Sequence, residues 1–166
     1  MKYVYIILCS AIFYSCDKMP ENGELDGMWQ MLEEQHLSST PDGGIVVDSV
    51  TNKKSEGVFW GFQLKLMSIR TPFNMYYHNG FSQLSLCRFV HEGKTLDITQ
   101  MYIHLDSRDF GTTQTVTRDS LVTDPATTAF STVGIKGNKT RFIIERLDRH
   151  AMILRSDYNR LVFRKY

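Results

Sequence analysis

A chain of 166 residues with 42% hydrophobic and 12% aromatic side chains is the size of one domain and can bury a full core. Its 19 Lys and Arg stand against 18 Asp and Glu, so no surplus positive field exists to hold a phosphate backbone, and nucleic acid is excluded as a partner.

Residues 1–15 read as a signal peptide. Lys2 supplies a positive start, and Tyr3 to Phe13 follow without a charge, a run too short to span a bilayer. It closes on Phe13-Tyr14-Ser15-Cys16, which has the form of a lipobox: an apolar residue at minus three, a small one at minus one, then the cysteine whose thiol is acylated. Phe13 and Tyr14 are bulkier than the Leu and Ala usual at those places. Cys16 is therefore the expected lipidation site, the membrane the partner reached through that lipid, and the cell envelope, at the outer membrane, the expected location. Loss of residues 1–15 removes only Lys2 from the charge balance, leaving the mature chain close to neutral. With Cys9 gone and Cys16 acylated, Cys87 has no disulfide partner, and its setting in Leu84-Ser85-Leu86-Cys87-Arg88-Phe89 points to an inert packed thiol.

Residues 16–25 are polar, with Pro20 and Gly23, and form a tether. Residues 26–166 are expected to be one domain. Alternating apolar and polar residues predict strands over Gly27–Glu34, Val58–Ile69, Phe81–Val90, Thr95–His104, Thr140–Leu147, Ala151–Ser156 and Arg160–Lys165. In the second, Val58, Trp60, Phe62, Leu64 and Leu66 share one face. Weaker candidates at Phe73–Tyr77 and Thr112–Thr117 bring the count to eight or nine, and residues 35–57 read as a long loop with a short strand at Ile45–Val47. One helix is signalled: Asp124 as cap, Pro125 at its first position, Ala126–Thr132 as two turns packing Phe130 and Val133, and Gly134 as its end. The last three strands form a meander through turns at Asp148-Arg149 and Asp157-Tyr158-Asn159. The pattern is that of an all-β, antiparallel barrel.

Catalytic signatures are missing from the sequence. His36, His78, His91, His104 and His150 form no close pair, and only His104-Leu105-Asp106 places two ligand types on one strand face, so no metal and no cofactor are expected. Gly93-Lys94-Thr95 has the tail of a phosphate loop, but Arg88 stands where its first glycine belongs. No nucleophile elbow or triad context occurs. Asp97, Asp106, Asp109 and Glu145 are isolated acids on wet faces, which solvent accounts for more simply than glycoside hydrolysis does. The chain is expected not to be an enzyme. Asp48-Ser49-Val50 and Asp119-Ser120-Leu121 match an Asp-Ser-aliphatic O-glycosylation pattern, which a chain this rich in Asp produces about once by chance.

Three features together resemble the lipocalin-like (calycin-like) lipoproteins of Bacteroidetes-type Gram-negative bacteria. They are the Gly27-Met28-Trp29 opening of the first strand soon after Cys16, the segment Val133-Gly134-Ile135 after a short helix, and the closing strand Leu161-Val162-Phe163-Arg164-Lys165-Tyr166. The resemblance spans the chain in outline. It implies an up-and-down barrel of about eight strands, no established catalytic activity, and an arginine of the last strand laid across the indole of the first, for which Arg164 is the first candidate and Arg160 the second; a solvated edge charge is the alternative reading of Arg164. Independently of the family, Gly27 lets the chain bend into the barrel floor, and Trp29 plugs a closed end that side chains must fill.

Two functional readings follow. In the first, the barrel mouth binds a small apolar or amphipathic ligand between Trp60, Phe62, Tyr76, Tyr77, Phe81, Phe89 and Tyr102. In the second, the lumen is filled, those aromatics are core, and an outer face holds an envelope protein partner.

Overall fold

A computed structural model describes residues 21–77, 80–106 and 117–166, with side chains described outside 73–83 and 105–118. A 3-10 turn at Gly23–Leu25 leads into β1 (Gly27–Ser39), followed by β2 (Ile45–Asn52), β3 (Phe59–Gln63), β4 (Leu66–Tyr77), β5 (Gly80–Glu92), β6 (Thr95–Asp106) and β7 (Thr117–Leu121). After a second 3-10 turn at Ser131–Val133 come β8 (Thr140–Leu147), β9 (Ala151–Arg155) and β10 (Asn159–Lys165). The pairings are antiparallel, and eight strands close into a ring in the order β1, β3, β4, β5, β6, β8, β9, β10 and back to β1. This is the expected all-β barrel. β2 and β7 stand outside the ring, paired to β1 and β6.

Alternation sorts the wall into two faces. Met67 and Ile69 of β4, Phe142 and Ile144 of β8, Met152 and Leu154 of β9, and Leu161 and Phe163 of β10 point inward and are buried. Polar neighbours such as Arg141, Glu145 and Arg164 are exposed. Burying one inward Leu, Ile or Phe stabilises the fold by roughly 1.5–3 kcal/mol, so this single stripe is the main support of the barrel.

Four expectations change. The predicted strand Val58–Ile69 is two strands, because the chain reverses at Leu64 and Lys65, with Gln63 opposite Leu66 and Leu64 at φ 55. Inward parity is thereby reset: Val58, Trp60 and Phe62 are buried, but Leu64 and Leu66 are exposed, and Met67 and Ile69 take over the interior. The short strand at Ile45–Val47 runs on to Asn52, and β1 extends to Ser39 to pair with it. The Phe73–Tyr77 strand is the upper part of β4. The helix after Asp124 is reduced to the turn Ser131–Val133. Asp124 does receive the amide of Ala126 (2.9 Å), but the β-branched Thr127, Thr128 and Thr132 disfavour helix, and packing governs the segment. Phe130 and Val133 are buried as expected, and Gly134 takes the left-handed φ of 85. Of the Thr112–Thr117 candidate, residues 112–116 lie outside the described residues.

Candidate functional site

The floor of the barrel is built around Trp29. Its ring is fully buried, and its indole Nε1 donates to the carbonyl of Leu25 (2.8 Å), itself a buried residue of the first 3-10 turn. The cation over the ring is Lys165, with Nζ 4.3 Å from the centroid. This corrects the arginine expectation. Strand parity decides it: Leu161, Phe163 and Lys165 share the inner side of β10, whereas Arg164 faces outward and donates to Gln30 (2.9 Å). Arg160 also faces away, held by Glu145 (2.5 Å) and Gln35 (3.2 Å). Lys165 Nζ donates to the carbonyls of Glu24 (2.9 Å) and Asp26, and partial burial lowers its pKa, an effect that Glu24 and Asp26 oppose. Gly27, at φ 112, would bring a side chain to 3.1 Å from Lys165 Cε, so the bend and the lysine's passage both require glycine.

Above the floor, one row of inward residues crosses five neighbouring strands: Trp29, Trp60, Ile69, Ser85 and Ile103. All five are buried. Trp60 packs against Phe163 (4.9 Å between centroids), Phe142 (5.8 Å) and Phe62 (6.4 Å), and Phe62 meets Phe89 edge-on at 5.3 Å. Trp60, Phe62 and Phe89 are thus core residues, not the rim of an open mouth. Tyr102 lies outside the lumen, half-buried on β6, with its hydroxyl donating to Gln100 (3.0 Å). The side chains of Tyr76, Tyr77 and Phe81 fall outside the described residues.

Two polar atoms on this row stay unmatched. Trp60 Nε1 and Ser85 Oγ are fully buried and have no hydrogen-bond partner among the described residues. Cys87, next inward on β5 after Ser85, is also fully enclosed, and burial pushes its thiol up to about 12, so it is inert at neutral pH.

The upper end is closed on one side by residues 122–139. Phe130, Val133 and Ile135 descend into the core, and Gly134 lies so close to Leu161 and Met31 that a Cβ there would sit 2.8 Å from both Leu161 methyls. Polar contacts hold this cap. Asn159 Nδ2 donates to Glu34 (2.9 Å) and to the carbonyl of Gly134 (3.1 Å), which also accepts from the Tyr158 hydroxyl (3.1 Å). Lys53 Nζ donates to Glu56 (2.9 Å) and to the carbonyl of Thr132 (3.3 Å), and lies 3.9 Å from Glu34. Burial of the Tyr158 phenol raises its pKa, keeping it a neutral donor. This ionic latch was not legible in the sequence, because Glu34, Lys53 and Asn159 are far apart in it and each sits in an ordinary strand or turn context.

Two of the hollows on the wall adjoin β3 and β4. One, of about 670 Å³, is lined by Met28, Gly61, Ser68, Arg70 and Leu86 among others, and a side chain added at Gly61 would meet Ser68 Oγ at 2.8 Å. The other, of about 500 Å³, lies between Gly57, Phe59, Arg70, Pro72 and Leu84. Among the described residues no three His, Cys, Asp or Glu side chains gather as a metal set. His104 Nδ1 is 2.8 Å from Asp119 of β7, while the side chain of Asp106 lies outside the described residues.

The family model described as a lipocalin-like domain matches residues 10–166. A solved structure of a lipocalin-like protein from Bacteroides uniformis is 18% identical, covers 87% of this chain and all of its own, and superposes with a TM-score of 0.49. A solved structure of an uncharacterized protein from Bacteroides eggerthii is 17% identical, covers 86% of this chain and 99% of its own, with a TM-score of 0.48. No curated protein matches the chain.

Proposed function

Because the chain belongs to the lipocalin-like domain family, we propose that it is an exported, lipid-anchored binding module of the cell envelope, without catalytic activity, whose lumen takes a small amphipathic molecule by a hydrogen-bond acceptor. Cys16 is its anchor in this reading. The observation that carries it is the unmatched pair, Trp60 Nε1 and Ser85 Oγ, on one inward row. A buried polar group left without a partner costs about 1–3 kcal/mol. A lumen that keeps two of them among Ile69, Ile103 and Phe142 supports a guest that completes them. An indole N–H can only donate and a hydroxyl can do either, so the fitting guest brings a carbonyl, carboxylate or hydroxyl on an apolar body. Entry then requires the cap of residues 122–139 to loosen, exchanging its polar contacts for water and lifting Phe130, Val133 and Ile135 from the core.

A specific observation favours a second reading, in which the barrel is a filled scaffold. Trp60 already touches three aromatic rings, and Phe130, Val133 and Ile135 reach the core from above. A protein partner would then use the outer wall.

Binding of an apolar fluorescent probe, displaced by a long-chain fatty acid, separates the two. Ser85→Ala deletes one polar atom and nearly keeps the shape, whereas Trp60→Phe deletes the indole N–H together with part of a ring packed by three others. If the pair holds the guest, Ser85→Ala weakens fatty-acid binding by about 2- to 10-fold, the worth of one neutral hydrogen bond, with no loss of stability, and Trp60→Phe weakens it at least as much. A protein that binds no probe, and in which Ser85→Ala melts at or above the wild type while Trp60→Phe melts below it, is the scaffold.

A further inference from the structure

The floor of the barrel is tied to the start of the chain. Asn22 Nδ2 donates to the carbonyl of Leu64 (2.8 Å) and to Asp26 (2.6 Å), while Lys165 holds the carbonyl of Glu24 (2.9 Å) from the other side. Residue 22 is thus fixed beside the β3–β4 turn. Five residues separate it from Cys16, and six steps at roughly 3.3–3.6 Å per residue reach at most about 22 Å. Whatever holds Cys16 is within that distance of the floor.

The floor carries side chains that water does not explain. Leu64 is 59% exposed and Leu66 47% exposed, with exposed Lys65 between them. Leu64 sits at φ 55, in the left-handed region where a turn ordinarily uses Gly or Asn, so a bulky apolar residue is presented at a backbone cost. Tyr166 ends the chain at the same end, 77% exposed, its amide bonded to the carbonyl of Met28 (2.9 Å) and its ring edge-on to Phe59 at 5.1 Å. Two leucines, a lysine and a tyrosine are the side chains that settle at a bilayer interface: apolar bodies enter the acyl boundary, while an amine and a phenol stay at headgroup level. The β1–β2 hairpin tip at the opposite end is polar, Thr40-Pro41-Asp42-Gly43-Gly44, but β2 after it also exposes Ile45, Val46, Val47 and Val50, so exposure does not choose between the ends and the tether at Asn22 does.

We propose that the floor is a membrane-docking face, seating Leu64, Lys65, Leu66 and Tyr166 on the phospholipid surface so that the barrel stands with its capped end away from the bilayer. This rests on Cys16 being the lipid anchor. The short tether is what selects lipid over other occupants, because it keeps the turn at the surface once the acyl chains are inserted.

The test uses the full acylated chain in vesicles of equal parts phosphatidylethanolamine and phosphatidylglycerol. Leu64→Cys and, separately, Leu66→Cys carry a polarity-sensitive thiol dye, with Asp42→Cys at the hairpin tip as reference. Native labelling is confined to the new thiol, since Cys87 is buried and Cys16 is acylated. The mass of the N-terminal peptide reads acylation independently. Docking predicts a blue shift and strong quenching by bilayer-resident spin-labelled lipid at 64 and 66, and neither at 42. An acylated protein whose dyes at 64 and 66 are as wet as at 42 overturns the docking face and leaves the anchor standing. A peptide without acyl mass removes the anchor, and the inference with it. A blue shift at 64 that appears without vesicles and grows with protein concentration overturns it in favour of a second copy on the same face.

Discussion

The two tryptophans of the chain are paired across β1 and β3 and are equally buried, yet they are finished differently. Trp29 has every group matched: its N–H is bonded to Leu25, its ring lies under Lys165, and Gly27 leaves room for that lysine. Trp60 has its ring packed by three aromatics and its N–H bonded to nothing among the described residues. Burial alone therefore does not separate structural from functional residues in this barrel; hydrogen-bond completeness does. The first site closes a floor, and the second leaves a donor in the middle of the lumen.

Substitutions at and around the two sites should rank accordingly. Trp29→Ala is expected to cost about 3–5 kcal/mol in denaturant melts, as loss of a large enclosed aromatic does; a loss well under that range would mean the floor is not a packed plug. Gly134→Ala should come next. It drives a methyl onto Leu161 at a left-handed φ of 85, and overpacking of this kind costs about 1–3 kcal/mol, read as a lower thermal midpoint with the cap loosened first in hydrogen exchange. Lys165→Met keeps the apolar stem and removes the cation over Trp29, a change worth about 0.5–1 kcal/mol at a partly exposed site, with the Trp29 fluorescence altered. Ser85→Ala, on the same row as Trp60, is the smallest and differs in sign: deleting an unmatched hydroxyl with almost no change of volume should leave stability unchanged or raise it. A drop as large as that of Trp29→Ala would erase the distinction between the two sites.

The sequence made the wall legible where alternation was clean and turns carried their usual residues. Thr140–Leu147 and the meander after it have these bounds to within a residue, because Phe142 and Ile144 alternate with charges and Asp148 and Asp157 mark the reversals. The reversal at Leu64-Lys65 was hidden, since it uses no Gly, Asn or Pro and its leucines prolong the apolar alternation. The same residues become informative once that parity is broken, because they end on the surface. Placing a cation over Trp29 needed only the inner side of β10, which Leu161 and Phe163 mark; the choice of Arg164 followed residue type where parity pointed to Lys165. What no local pattern could give is the unmatched pair. Whether Trp60 and Ser85 find partners depends on strands brought beside them by closure of the barrel, as does the latch of Glu34, Lys53 and Asn159.

With only two indoles in the chain, a nitrogen-15 proton spectrum of their N–H groups reads both sites at once. On titration with a long-chain fatty acid, the Trp60 resonance should move downfield as its N–H gains an acceptor, saturating with the displacement of the apolar probe, while Trp29 stays in place. A Trp60 resonance that lies downfield without ligand and does not move, or that moves only together with Trp29 as the protein unfolds, would contradict the account and leave the barrel a filled scaffold.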